Sequence, residues 1–550
     1  MPSTHPPRAV RTALLPLVVA GMLLLGACYP VQPRAASPDR EDVTTVSAEG
    51  DQVREGGDLV MGLSADPDVL DPTTSSSLYT RYVMSSICEK LYDIDAEGSI
   101  VPQLATDLPE IEDQGRTVRI PLRDGVEFAD GTPFDAEAVR RSLERHLTQE
   151  DSARAAEMGP IEDIEAVDDS TVELHYETPF SPITASLADR AGMIMSPKAL
   201  DDLGDDFGNN PVCVGPFKFV ERVPATSIVV EKDPRYYAAD EVHLDTITYR
   251  IMTDANIRAA NLQSGDVQVV DSVSPTTIDT LRREPGIGLL QTGSLGYQAI
   301  TFNVGNTDGV GEPPGKVDSP MAGDPRLRQA FELSLDREAL VNSVFSNWFE
   351  PACSPISPDT EFATEASNAC PPYDPKKSRA LLERAGVHTP VKLTMKVTNT
   401  PDTLRLAQAI QGSVSAGGFD VEIEPVEYTT LLDNQSNGDF QVLQLGWSGR
   451  IDPHGNMYAF LATGQSSNYS GYSNEEVDDL LTEAAEQVDM DQRARTYGEV
   501  VTQVQKDDPL IYLYRQRNLT AYSDDLTGVS TFADGVVRLS RAGFVEGDQD

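Results

Sequence analysis

Phe440-Gln441-Val442-Leu443-Gln444-Leu445 runs straight into Gly446-Trp447-Ser448-Gly449-Arg450-Ile451-Asp452-Pro453. The first six residues are mostly apolar and contain neither glycine nor proline. They suit a buried strand and are too short for a helix. The eight that follow are turn-formers around one tryptophan and one arginine. On both sides the pattern changes period. Upstream, Thr400-Pro401 places a cap and then proline at the first helical position, with Leu404, Ala407, Ile410 and Val414 in helical register. Downstream, Ser473 with Glu476 makes a capping box ahead of Val477, Leu480, Leu481 and Ala484, and 510–514 is again an apolar strand. Asp324-Pro325, ahead of Leu327, Ala330, Phe331 and Ser334, and Asp374-Pro375, closed by Gly386, use the same opening device. Nearer the start, 58–63 reads as a strand that ends in the Asp- and Pro-rich loop 65–72. Residues 117–122 alternate Val118, Ile120 and Leu122 as a half-buried strand. Asp124-Gly125 and Asp130-Gly131 are turn signals around Val126 and Phe128, and Asp135 caps a helix with Val139, Leu143 and Leu147 on one face. Strands and helices interleave throughout, which predicts an α/β body with mixed sheets. The 550 residues call for two or three packed units, and no repeat of fixed period is present.

The chain opens on a basic leader, Arg8 and Arg11, and an uncharged apolar run, 13–25, before Leu25-Gly26-Ala27-Cys28. The run is too short to span a bilayer comfortably and suits a secretory signal core. The small residues before Cys28 resemble the bacterial lipoprotein signal, in which this cysteine becomes the acylated first residue of the mature chain. Residues 1–27 are thus expected to be a signal peptide. Residues 28–56, with Pro30, Pro33, Pro38 and many Ser and Thr, are expected to be a disordered tether. No later segment offers about 20 apolar residues in a row, so no transmembrane helix is expected. Formal net charge is −45, from 88 acidic and 43 basic side chains. Such a surface repels phosphates and argues against a nucleic-acid partner. The acidity reads as a dispersed solvated surface, serving solubility or adaptation to salt.

With Cys28 assigned to lipid, Cys88, Cys213, Cys353 and Cys370 remain, an even number that arithmetic allows to pair in three ways. Cys353 and Cys370 flank a Pro- and Ser-rich segment, which favours a local bridge there and Cys88–Cys213 as the second. No Cys-x-x-Cys or paired Cys/His spacing suggests a metal, and no cofactor is expected. Catalytic signatures are missing: no Gly-x-Ser-x-Gly elbow, no His-Glu-x-x-His, no Walker loop and no dinucleotide glycine fingerprint. Asp93-x-Asp95-x-Glu97-Gly98 has Leu104 where a calcium loop needs its bidentate acid, so it reads as a solvated turn.

An ordered series of local patterns spans about 57 to 540. It comprises Gly57-Asp-Leu-Val-Met-Gly-Leu63 with Leu70-Asp-Pro72; Cys88-Glu-Lys-Leu-Tyr-Asp93; Leu122-Arg-Asp-Gly-Val-Glu-Phe128 with Asp130-Gly131; and Asn210-Pro-Val-Cys-Val-Gly-Pro-Phe-Lys-Phe219. Further on come Asp324-Pro-Arg-Leu-Arg-Gln-Ala330 with Asp336-Arg-Glu338, Tyr373-Asp-Pro375 with Leu381-Leu382, and the Gly446–Pro453 segment. The series resembles the family 5 solute-binding proteins of bacterial ABC importers, which include oligopeptide, dipeptide and nickel-chelate binders. The resemblance implies a periplasmic-binding-protein-like, two-lobed α/β fold of class II type with a small extra domain in the N-terminal lobe. Lobe I would combine 57–87, 200–296 and 515–545, the small domain would be 88–199, and the other lobe 297–514. It also implies a monomer on the extracytoplasmic face of the bacterial cell membrane, lipid-anchored, that captures a peptide or related small solute and delivers it to an ABC permease and ATPase. It implies no enzymatic activity.

The leading candidates for ligand contact are Trp447 and Arg450. In peptide-binding members of the family, the segment after the Gly-Trp pair carries an aspartate that anchors the ligand's amino terminus. Here the nearest equivalent is Arg450, with Asp452 two residues on. An arginine fork suits a carboxylate or phosphate, so the expectation is an anionic group on the ligand, or Asp452 taking over the amine. Arg450 pairing with a neighbouring acid is the competing structural reading. Trp447 offers either a flat apolar wall or core packing. Position adds Ser64 and Asp66 after the first strand, Tyr297 and Asn303 near the lobe crossing, and Asn456 after the arginine loop. A secreted hydrolase, or a sensory or adhesive lipoprotein on the same fold, are the competing functions.

Overall fold

The computed structural model describes residues 40–47 and 53–546, which belong to one unit; Cys28 and the signal peptide lie outside the described residues. Two large mixed sheets organise it. The first has seven strands in the order Ile287–Thr292, Asn518–Ser523, Val269–Val270, Asp58–Leu63, Thr246–Ile251, Ser227–Lys232 and Phe217–Val223. At its centre, Asp58–Leu63 pairs in parallel with Thr246–Ile251 and with Val269–Val270, and the outer pairs are antiparallel. Leu59, Met61 and Leu63 alternate along the strand onto one face and are fully buried, while Val60 on the other face is half-buried. The second sheet has six strands in the order Glu350–Pro351, Leu510–Arg515, Tyr297–Phe302, Val442–Trp447, Val391–Thr398 and Phe419–Val426. A smaller antiparallel sheet, Glu110–Glu112, Thr117–Pro121, Thr171–Tyr176 and Ile161–Asp168, packs with the helix Ala136–Thr148 over its own core.

The chain passes between the two large sheets twice, through 293–296 and through 516–517. The two crossings lie side by side, where Arg515 donates to the carbonyls of Leu295 and Gly296.

The helices start where their caps predict. Asp324, Asp374 and Thr400 each precede a proline at the first helical turn of Pro325–Leu333, Pro375–Arg384 and Pro401–Gly417. Asp135 accepts from the Ala138 N–H. The box expected at Ser473 is displaced by one residue: Asn474 is the cap, accepting from the N–H groups of Glu476 and Val477. Asparagine is as good an N-cap as serine, and the Ser473 hydroxyl is engaged with Thr463. The strand expected at 440–445 runs instead as Val442–Trp447, because its ladder to Tyr297–Phe302 continues through Gly446 and Trp447.

The expectation of a tether through residue 56 is corrected for its described part. Val43 bridges Gln291, Thr45 bridges Ser530, and Val53–Arg54 pairs with Gly543–Val545. Open ladder edges on the body offered backbone partners that composition could not reveal. Disulfides join Cys88 to Cys213 and Cys353 to Cys370. Asp95 accepts from the N–H groups of Glu97 and Ser99, closing the turn that resembles a calcium loop. Among the described residues no helix is long and apolar enough to cross a membrane.

Candidate functional site

Trp447 ends its strand directly opposite Tyr297, and the chain then turns back through Gly449. Gly449 has φ +86°, and a Cβ there would lie 2.3 Å from the Leu295 carbonyl carbon, so only glycine fits. The turn is stapled by Asn456. Its Oδ1 accepts from the Trp447 indole N–H (3.0 Å) and the Arg450 backbone N–H (2.7 Å), and its Nδ2 donates to the Arg450 carbonyl (2.8 Å). Arg450 is thereby laid over the indole, 4.3 Å from the ring centroid.

Two adjoining cavities lie between the large sheets. A small one, about 70 Å³, is walled by Ser76, Tyr297, Tyr428, Trp447, Ser448 and Tyr469, among others. A larger one, about 330 Å³, includes Ser64, Tyr79, Arg258, Asp402, Arg517 and Tyr514 in its wall. Leu78, Tyr428 and Leu445 line both, and the Tyr79 and Tyr428 rings meet edge-on between them (5.3 Å).

Beside the small cavity sits a buried cluster that sequence reasoning did not assemble: Arg81, Arg154, Arg190 and Arg450 with Glu157, Asp189 and Asp534. Arg190 Nη1 donates to the Ser75 and Ser77 carbonyls, and Arg154 Nη2 also donates to Ser75. Those carbonyls flank Ser76 in the cavity wall, so the guanidinium groups stand just behind it. Asp189 Oδ2 pairs with Arg81 at 2.5 Å, while Oδ1 lies 3.5 Å from Arg450 Nη2 and 3.6 Å from Arg190 Nε, too far for a hydrogen bond to either. Glu157 pairs with Arg154 at 2.6 Å and is 3.8 Å from Arg450. The result is a deficit of acceptors. Nε and Nη2 of both Arg190 and Arg450, and Nε of Arg154, have no hydrogen-bond partner among the described residues. In each of the first two, the vacant pair is one edge of the guanidinium, a bidentate match for a carboxylate.

The electrostatics agree. Burial pushes Arg450 down to about 10, against the pull of Asp189. Burial, then Arg154 and Arg450, depress Arg190. For Asp189 burial acts upward, but Arg450, Arg81, Arg190 and Lys90 outweigh it and hold the carboxyl well below its usual range. Four cations share too little negative charge.

The other sequence candidates divide. Tyr297 lines the small cavity, edge-on to Tyr512. Ser64 lines the large one and donates to Asp271. Asp452 is committed: it pairs through both oxygens with Arg493 (2.8 and 2.9 Å) and accepts from the His454 N–H. These contacts speak against Asp452 taking over a ligand amine. Asp66 pairs with Arg222 and accepts from the Ala225 N–H. Asn303 holds a turn through the carbonyls of Asn306 and Gly438. Neither lines the two cavities between the large sheets; Arg190 and Arg450 do not line them either, and stand behind the walls formed by Ser76 and Trp447.

Residues 99–468 match the family described as bacterial extracellular solute-binding proteins, family 5 Middle. The chain belongs to this family. Like this solute-binding protein in length and sequence is the glutathione-binding protein GsiB of Pectobacterium atrosepticum, 27% identical over 501 residues, 89% of this chain and 94% of that one. In fold it is similar to the murein tripeptide binding protein MppA of Escherichia coli, with TM-score 0.81 and 20% identity over 90% of this chain and 100% of that one. It is likewise similar to the Helicobacter pylori periplasmic binding protein DppA in complex with the peptide STSA, with TM-score 0.79 and 23% identity over 89% of this chain and 98% of that one. The solute-binding protein therefore has the mixed α/β periplasmic-binding-protein fold. Its relatives are binding components of ABC importers that act outside the cytoplasm, not enzymes.

Proposed function

We propose that this solute-binding protein captures a small peptide-like solute bearing at least one carboxylate and presents the closed, loaded form to an ABC permease and its ATPase. One observation carries the reading. In a chain of net charge −45, two buried arginines behind the wall of an interlobe cavity, Arg190 and Arg450, each keep a guanidinium edge that makes no hydrogen bond among the described residues and has only the more distant carboxylates of Asp189 and Glu157 near it. Leaving buried donors unpaired costs about 1–3 kcal/mol each. A ligand carboxylate would satisfy them, and a closed, water-poor cleft would strengthen the contact. GsiB is named for glutathione, a tripeptide with two carboxylates, which suits the same chemistry.

In this reading, 57–87, 200–296 and 515–545 form one lobe, with 88–199 as its small domain, and 297–514 forms the other. Trp447 supplies an apolar wall, Asn456 fixes the Arg450 loop, and Tyr297 and Ser64 line the two compartments. Cys28 carries the lipid that holds a monomer at the extracytoplasmic face of the membrane. Native mass spectrometry of protein purified without denaturation should show a carboxylate-bearing solute. Calorimetry with reduced glutathione and with its diethyl ester should show binding of carboxylate forms only. A co-purified ligand without a carboxylate, or equal binding of acid and ester, would refute the reading. For the anchor, Cys28→Ser should release the protein from the membrane fraction.

A further inference from the structure

We propose that residues 40–47 are a strap that ties the two lobes together across the hinge and favours the arrangement described here, in which residues of both lobes wall the two cavities. The strap grips the edge of the seven-stranded sheet and the segment 528–531 beside it. Val43 exchanges both backbone hydrogen bonds with Gln291 (2.8 and 2.9 Å). Asp42 pairs with Arg517 and accepts from the Thr292 hydroxyl. The Thr531 N–H donates to the Thr44 carbonyl, and Val46 exchanges hydrogen bonds with Val529 and Gly528. Gln291 and Thr292 are the last residues before one crossing, 293–296, and Arg517 belongs to the other. The strap is therefore fastened at the two places where the chain passes between lobes.

Its leading end is fastened to the opposite lobe. Arg40 pairs with Glu350 at 2.5 Å and donates to the carbonyls of Asn347 and Phe349. Glu350 begins the edge strand of the six-stranded sheet, opposite Arg515. Arg517 and Phe349, one on each side, also line the larger cavity. A hinge motion at 293–296 and 516–517 moves the partners of Arg40 relative to those of Val43–Val46. Eight residues held at both ends resist that motion. The tie is an ion pair with Arg40 29% and Glu350 48% exposed, so it biases the equilibrium rather than locking it.

The test uses the full, ligand-free chain and rests on the two-lobed fold, not on the identity of the solute. Nitroxide labels at Val220→Cys and Val488→Cys, both exposed and on opposite large lobes, report the interlobe distance by double electron–electron resonance. Arg40→Glu should raise the population of the longer-distance, open form by about two- to five-fold, the range an exposed ion pair allows. Glu350→Arg should do the same, and Arg40→Glu with Glu350→Arg should restore the wild-type distribution. Identical distributions in all variants, a shift toward shorter distances, or failure of the double variant to restore the wild-type distribution would each overturn the proposal.

Discussion

Arg450→Met separates a ligand anchor from a structural ion pair, because the two roles move stability and affinity differently. Methionine keeps most of the apolar contact with Trp447 and removes the charge. If Arg450 were a structural partner of Asp189, its loss would leave a buried carboxylate uncompensated, a cost of about 3–5 kcal/mol. The geometry argues otherwise. Asp189 retains Arg81 at 2.5 Å, and Arg450 stands 3.5 Å away, its side chain donating to the Gly449 carbonyl and to no other acceptor among the described residues. Removing Arg450 takes away the largest attraction that Asp189 feels, and offsets that loss by relieving its repulsion with Arg81, Arg190 and Arg154. The ligand-free variant should therefore unfold within about 1 kcal/mol of wild type, as substitutions that break no needed partnership do. Its affinity for a carboxylate ligand should fall by about 1.5–3 kcal/mol, the range for a charged hydrogen bond, or roughly 10- to 150-fold. Denaturant unfolding paired with calorimetry on glutathione reads both quantities. A variant that loses several kcal/mol of stability while binding as before would refute the assignment.

Gly449→Ala should be severe, with a loss of more than ~2 kcal/mol in denaturant unfolding, since its Cβ meets the Leu295 backbone at 2.3 Å with φ in the left-handed region. Replacing Cys353 and Cys370 by serine should cost roughly 3 kcal/mol from the freedom regained by the loop of sequence separation 17, measured the same way. Acid should destabilise the fold in two stages. Burial lowers His146 to about 3 and His454 to about 4 from 6.5, so the unfolded chain takes up protons that the folded chain refuses, and stability falls as pH drops from about 6.5 toward 4. Asp189 is depressed, so its contribution is present above about 4 and is lost below it. His454→Phe, which fits between Phe180 and Tyr458, should flatten the first stage; an unchanged slope of stability against pH would count against it.

Local chemistry made much of the fold legible. A cap followed by proline at Asp324, Asp374 and Thr400 marks a helix start because the cap side chain and the proline ring both act within one turn. Apolar runs such as 510–514 mark strands for a similar reason. The site was half legible. Trp447 and Arg450 stand in one continuous motif, and Asn456 lies within the same turn. Arg81, Arg154 and Arg190 could not be picked out, because nothing in their neighbourhoods distinguishes them from the chain's other arginines. What sets them apart is burial, Arg154 and Arg190 around shared carbonyls at Ser75 and Ser77 and Arg81 between Asp189 and Asp534, a property of distant segments brought together. Asp66 and Asp452 show the converse: sequence position alone does not reveal that each pairs with an arginine from another segment, Arg222 or Arg493. The ordered course of 40–47 was hidden because its partners are backbone groups on sheet edges, which composition does not encode.

Docking of Arg40 beside Glu350 also shortens the leash. With Cys28 as the acylated residue, only 12 peptide steps separate lipid from body, a contour of about 40 Å at full stretch. The attachment point is the hinge flank rather than a free end of either lobe. On that proposal the lipid would meet the body beside both crossings, and the lobe that carries Glu350 could not swing away without pulling on the mooring.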